Sequence, residues 1–104
     1  MEVTVDLSEL STATKVRLSE DVSKPEVLAE LAKDSDACVR LSVAANPANW
    51  TDTLDALADD QHWFVATAVA KNPTTLSETL EDLAHHINNL VRESARKALE
   101  KREN

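Results

Sequence analysis

The sequence predicts an all-α protein built from stacked two-helix repeats. The first observation is a period of 26 residues, since Leu-Ala-Glu-Leu-Ala at 28–32 returns as Leu-Asp-Ala-Leu-Ala at 54–58 and as Leu-Glu-Asp-Leu-Ala at 80–84. The second is that both halves of each unit carry apolar residues at helical spacing. The third is composition, because the chain has no glycine and is rich in strong helix formers. Helices this short are unstable alone, so we expect them to stack as an α-solenoid of about three repeats.

The ends of the chain depart from the repeat. Val3, Val5 and Leu7 alternate with polar residues, which is typical of extended backbone. Residues 16–19 repeat the pattern of 39–42 at a shorter spacing, which indicates an incomplete first unit. The third unit lacks the Asn-Pro pair of the earlier ones and continues as a polar terminal helix. We therefore expect a single domain over 1–104 with an extended segment (1–10), a degenerate leading half-repeat (11–27), full repeats (28–53 and 54–79) and a capping repeat (80–104).

The two helices of a unit each have one apolar face. In the first helix, Leu54, Leu57 and Ala58 fall at i, i+3 and i+4. The second helix carries its apolar stripe at Phe64, Val65, Ala68 and Val69. Facing stripes in neighbouring units predict one continuous core.

Start signals precede two of the first helices. Ser23 stands three residues before Glu26, and Thr75 three before Glu78, which is the spacing of a capping box. Pro25 suits a first helical turn, where its missing N–H has no intrahelical partner to lose.

The second helix ends at an Asn-Pro corner, Asn46-Pro47 and then Asn72-Pro73, because the residue before proline is driven out of the helical region.

Equivalent positions can be compared between units. Cys38, Phe64 and Leu90 are equivalent and all apolar, so we expect them in the core, with Cys38 a small buried hydrophobe.

The units resemble the leucine-rich repeat variant family through the run 25–34, the Val-Arg pair at 39–40 and the Val-Ala-Ala-Asn-Pro run at 43–47. Members of that family form right-handed, HEAT-like helical solenoids. The resemblance spans about residues 16–95 and implies such a solenoid, with a recognition role by analogy. It leaves open whether the second helix is α or 3₁₀. Some relatives carry a cysteine-rich iron–sulfur segment, for which this chain lacks the cysteines, so no cofactor is expected.

Charge and composition limit the kinds of partner and the cellular location that we expect for this protein. The net charge of −8 disfavours binding to nucleic acid, whose phosphates repel an acidic chain. No apolar run approaches the ~20 residues that a membrane helix needs. The single Cys38 excludes an internal disulfide and a multi-cysteine metal site. The polar, acidic N-terminus is unlike a secretory signal, so we expect a cytoplasmic protein.

Catalytic and metal chemistry finds little support. Asp34 and Asp60 are equivalent residues at the turn between two helices, where capping or pairing with an arginine of the next helix explains them best. His85 and His86 could join nearby aspartates in a weak surface metal site. A metal-dependent hydrolase that uses one of these histidines is therefore one functional hypothesis, beside the binding scaffold and the inhibitor described below. No nucleophile, base and oxyanion donors assemble in the pattern, so we expect no enzyme and no metal site.

The remaining positions of the second helices predict a binding surface. Trp63 is equivalent to Ala37 and Asn89, which are not core types, so it is either an exposed binding residue or a cover between repeats. Trp50, equivalent to Leu76, precedes a helix and is expected to pack as a hydrophobic staple. We call the predicted surface the ridge, and it consists of Arg40, Leu41, Trp63, Thr67, Lys71, Asn89 and Arg92, with Ala45 and Lys97 beside them.

The sequence thus predicts a non-enzymatic scaffold, a monomer or weak homodimer, that binds a protein or peptide on the ridge. An acidic inhibitor that imitates nucleic acid and blocks a basic partner is the alternative. It follows from the acidic residues of the first helices, Asp52, Asp55, Asp59, Glu78, Glu81 and Asp82.

Overall fold

A computed structural model describes residues 7–103, and within them the chain is entirely helical, with seven α-helices and no strand. The helices are α1 (Thr12–Asp21), α2 (Pro25–Leu31), α3 (Ala37–Ala44), α4 (Thr51–Ala58), α5 (Trp63–Lys71), α6 (Ser77–Leu83) and α7 (Asn89–Glu103). The all-α prediction is confirmed for this part of the chain. The extended segment predicted over 1–10 lies mostly outside the described residues, and within its described part Leu7–Glu9 form a 3₁₀ turn instead.

The helices lie in two rows. Helices α1, α3, α5 and α7 pack on one another in that order. Helices α2, α4 and α6 lie against α3, α5 and α7 respectively. The molecule is elongated, with extents of 48 × 23 × 17 Å. The second helices, α3 and α5, are α-helical and not 3₁₀.

The core repeats with the sequence period. Leu28, Leu54 and Leu80 of the first helices have no exposed surface, and neither have Val39, Val65 and Val91 of the second helices. Leu57 and Val69 are buried as predicted. These side chains belong to one hydrophobic cluster that extends from α2 to α7. Burial of a leucine side chain stabilises the fold by roughly 1.5–3 kcal/mol.

Helix ends follow the predictions only in part. Pro25 is the first residue of α2, as expected. Both capping boxes are wrong, because the N-cap residues Lys24 and Leu76 make no side-chain capping bond. The Thr75 hydroxyl is buried and donates 2.6 Å to the Val69 carbonyl instead. It therefore covers a free carbonyl at the end of α5 rather than an N–H at the start of α6.

The asparagine of each Asn-Pro corner ties its unit to the preceding one. Asn72, in extended backbone, ends α5 and donates from Nδ2 to the carbonyls of Ala44 (2.8 Å) and Asn46 (2.9 Å). Asn46 makes the equivalent bonds to Ser19 (2.9 Å) and Val22 (2.8 Å). Both side chains are buried. The corner thus supplies donors to carbonyls at the end of the previous second helix, which no longer have an intrahelical partner.

Candidate interaction surface

The turn between the two helices of each unit is built in the same way three times. Asp34 accepts the backbone N–H of Asp36 (2.9 Å), and Asp60 accepts that of His62 (3.0 Å). His86 stands at the equivalent position, and its Nδ1 accepts the N–H of Asn88 (2.9 Å). Because these side chains close a turn, their first role is structural.

Cations from the neighbouring second helix reach two of these turns. Lys15 Nζ lies 2.6 Å from Asp34 Oδ2, and Arg40 Nε lies 2.7 Å from Asp60 Oδ2. Arg40 also donates to the Asp34 carbonyl (2.8 Å), so it links two successive turns. Asp60 thus pairs with an arginine as expected, but that arginine lies in α3 of the preceding unit and not in the next helix, and Asp34 pairs with a lysine instead. The third turn has no such pair, since the buried Ala66 replaces the arginine where His86 replaces the aspartate.

These ion pairs lower the pKa values of both aspartates. The hydrogen bond from Lys15 lowers the pKa of Asp34 and outweighs the effect of burial. Burial raises the pKa of Asp60, but hydrogen bonds from Arg40 and the His62 N–H, with the attraction of the Arg40 charge, lower it by more. Both groups therefore favour the folded state when they are ionised.

We predict that acid destabilises the protein through Asp34 and Asp60. Their pKa values are lower in the folded than in the unfolded chain, so their stabilising contribution is complete above roughly pH 5 and is lost as the pH falls through about 4 and below. Urea unfolding at a series of pH values should show this decline. Asp34→Asn with Asp60→Asn keeps the turn acceptors, but should be less stable at neutral pH and decline less steeply in acid.

The control is Asp82→Asn, because Asp82 is exposed and its carboxylate makes no hydrogen bond or ion pair within residues 7–103. It should leave the neutral-pH stability within about 0.5 kcal/mol of wild type. Parallel acid profiles for wild type and the double variant would contradict the assignment to these two groups.

The structure distributes the ridge residues unevenly. Trp63 is 45% exposed, and Lys71 and Asn89 are exposed. Thr67 is half-buried and its hydroxyl donates to the Trp63 carbonyl (2.9 Å). Leu41 is half-buried against the core. Trp63, Thr67, Lys71 and Asn89 thus remain available on the outer surface of α5 and α7.

The two arginines of the ridge are occupied. The Arg40 side chain is only 11% exposed and is held by its bonds to the two turns. Arg92 donates to the carbonyls of His86 (2.9 Å) and Ile87 (3.1 Å) and to Asn89 Oδ1 (2.9 Å). Both arginines therefore brace turns, and Arg40 offers little surface to a partner.

An aromatic cluster marks the start of α5. The Phe64 ring stacks on His62 with centroids 5.2 Å apart and meets Trp63 edge to face at 5.8 Å. Such contacts hold aromatic rings in a fixed geometry. Trp63 is therefore supported from beneath while nearly half of its surface faces solvent.

The expectation that Cys38, Phe64 and Leu90 lie in the core is wrong for Cys38 and Leu90, while Phe64 packs against the core. Cys38 is exposed, Phe64 is half-buried and Leu90 is 55% exposed. The adjacent residues Val39, Val65 and Val91 take the core position, and a shift of one residue turns a helical side chain by about 100°. We call Cys38, Phe64 and Leu90 the apolar row, because consecutive second helices present them at equivalent positions.

Trp50 does not act as the predicted staple. It is the N-cap residue of α4 and is 50% exposed, so half of its side chain is in solvent rather than packed over the first turn. Ile87, in the turn before α7, is almost fully exposed, and nothing in the sequence pattern distinguished it.

The first helices carry the predicted acidic face. All six carboxylates named above are exposed. Asp55 accepts the Thr79 hydroxyl, which links α4 to α6. A shallow cavity of about 290 Å³ is lined by Asp55, Asp59, Glu78, Asp82 and His86, among others. Within residues 7–103, no three His, Cys, Asp or Glu side chains form a set that could hold a metal ion.

Comparisons with known proteins add no assignment, since the chain matches no protein-family model, no curated protein and no solved structure. Among the described residues, no helix has both the length and the apolar character needed to cross a bilayer.

Proposed function

We propose that the chain is a right-handed, HEAT-like α-solenoid of the leucine-rich repeat variant type that binds a protein or peptide without catalysing a reaction. Three features recur along the chain and support the solenoid: the buried leucines, the corner asparagines and the turn acceptors. A stack of this kind presents the outer faces of its second helices as one continuous surface.

Trp63 is the observation that carries the binding proposal. Its ring is partly exposed yet held against Phe64, and the apolar row extends the same surface toward Cys38 and Leu90. Tryptophan at a rigid, partly apolar surface is typical of binding hot spots, since it loses little conformational entropy when a partner covers it. The three other available ridge residues, Thr67, Lys71 and Asn89, add polar groups around it.

We predict that Trp63→Ala weakens partner binding by at least about 2 kcal/mol, which is roughly a 30-fold loss of affinity. The wild-type protein and the variant are used as bait in cell extract, and recovered partners are quantified and then titrated with the purified bait.

Trp50→Ala is the matched control, because Trp50 is equally exposed but precedes α4 rather than α5. It should retain the partners that Trp63→Ala loses. Equal recovery with both variants, at unchanged thermal midpoints, would remove the support for the ridge.

The acidic face favours a second function, that of an inhibitor that imitates nucleic acid. Six exposed carboxylates, five on α4 and α6 and that of Asp59 directly after α4, produce a negative potential that attracts a basic partner. The triple variant Asp55→Asn, Asp59→Asn and Glu81→Gln tests it, and asparagine at 55 keeps an acceptor for the Thr79 hydroxyl. Loss of a basic partner in this variant, with none in Trp63→Ala, would favour the inhibitor over the ridge.

A further inference from the structure

A groove of about 890 Å³ lies between the end of α5 and the outer face of α7. Its apolar lining includes Ala70, Leu90 and Ala98. The groove exists because the third unit has no Asn-Pro corner: α7 runs for 15 residues where α5 has nine, and Ala98 replaces the asparagine. Nothing equivalent to Asn72 therefore covers the segment 70–73, which stays open as one wall.

Basic residues concentrate around this groove. It contains four of the 11 lysine and arginine residues of the chain and only one carboxylate, that of Glu93. Lys71, Lys97 and Lys101 are exposed and form no ion pair within the described residues, so the Glu93–Lys97 pair that helical spacing allows is not made. In a chain of net charge −8, three unpaired ammonium groups at one groove form a local positive site.

The fourth cation fixes one end of the groove. Arg102 donates to Ser77 Oγ (3.1 Å) and to the Pro73 carbonyl (3.3 Å), which ties the end of α7 to the corner after α5. Cations near helix C-termini are favoured by the helix dipole, so Lys71 and Lys101 are tolerated there without a carboxylate partner.

We propose that this groove binds a short, acidic, amphipathic segment of a partner protein. Carboxylates of that segment pair with Lys71, Lys97 and Lys101, while its apolar side chains cover Leu90 and Ala98. The inference rests on the proposed function, because Lys71 belongs to the ridge and Leu90 to the apolar row, and it specifies the charge of the partner.

Charge complementarity selects this occupant. A long polyanion such as DNA would also meet the lysines, but the exposed carboxylates of α4 and α6 and the net charge of −8 repel it over its length. A short segment confined to the groove experiences mainly the local cations, because charges more than about 8–10 Å away are screened at physiological salt.

The test uses a phage-displayed random peptide library panned on the full-length protein. Enriched peptides are synthesised with a fluorescent label and titrated by polarisation at low and high salt. We expect peptides that combine Asp or Glu with Leu, Ile or Phe. Their affinity should fall about tenfold or more in Lys97→Gln with Lys101→Gln, and the salt dependence should weaken.

The matched control is Lys33→Gln with Arg96→Gln, which removes the same charge at exposed positions outside the groove. It should bind like wild type. Both double variants should keep the wild-type urea midpoint, which excludes unfolding as the cause of a loss.

The outcomes separate the two proposals. Peptides that lack acidic residues, or that bind the Lys97 and Lys101 variant as tightly as wild type, overturn the groove. If those peptides still lose affinity in Trp63→Ala, the ridge survives. A library that enriches no peptide counts against both. A homodimer in sedimentation analysis that the groove variant dissociates would identify a second copy as the occupant and overturn the acidic-segment proposal.

Discussion

Replacement of Asn72 by alanine is expected to lower the free energy of unfolding by about 2–4 kcal/mol, among the largest effects of any polar substitution in this chain. The side chain is only 3% exposed. Its Nδ2 donates to the carbonyls of Ala44 and Asn46, and its Oδ1 accepts the Thr74 N–H (2.9 Å). Alanine leaves the Ala44 carbonyl and the Thr74 N–H in place without these partners, while the Asn46 carbonyl keeps the bond from Asn49 Nδ2 (2.6 Å). An unsatisfied buried group costs about 1–3 kcal/mol.

Urea unfolding followed by circular dichroism measures this effect, and the thermal midpoint should fall by about 10 °C or more. Asn89→Ala is the control, because the Asn89 side chain is exposed and, among the described residues, accepts a hydrogen bond only from Arg92. A loss of less than about 1 kcal/mol for Asn72→Ala would mean that water replaces the side chain, and the corner would then contribute little to the stacking of units.

The second large effect is expected for Leu54→Ala, which should destabilise the protein by about 2–5 kcal/mol. Leu54 has no exposed surface and lies in the middle of the hydrophobic cluster, with units on both sides. Truncation removes buried apolar surface and leaves a cavity that packed helices fill only in part. The loss is a large fraction of the ~5–15 kcal/mol that stabilises a typical domain.

Leu90→Ala provides the comparison, since Leu90 is also helical but 55% exposed. It should cost less than about 1 kcal/mol. Unfolding by urea with unchanged slope but a shifted midpoint would report a true loss of stability in Leu54→Ala. Equal small losses in both variants would contradict the assignment of Leu54 to the core.

Several site residues were open to prediction from the sequence. Comparison of Trp63 with Ala37 and Asn89 indicated partial exposure, and the structure has this residue 45% exposed. The position of Asp60 before a helix start indicated a pairing residue, which its contact with Arg40 confirms. Comparison between units works here because equivalent residues share one environment.

Other assignments failed where the neighbouring unit decides. Arg40 is predicted at the surface because it is a non-core position of its helix, but its side chain pairs with an aspartate 20 positions later. Thr75 and Glu78 have the spacing of a capping box, but the Thr75 hydroxyl donates a hydrogen bond to a carbonyl of the preceding helix instead. The basic groove was not predicted as one site, because Lys71 and Lys97 are brought together only by the packing of α7 on α5.

The sequence by itself determined that the protein is all-helical and which residues occupy equivalent positions in successive units. It could do so because the spacing of apolar residues defines one apolar face on each helix. The sequence alone could not determine whether residues at the edge of that apolar face, such as Cys38 and Leu90, are buried or exposed. Their exposure depends on how closely the next helix covers them, and the bonds of Asn46 and Asn72 depend on the register between units. Only the tertiary structure determines these contacts, because the hydrogen bonds join residues that lie 24 to 28 positions apart in the chain.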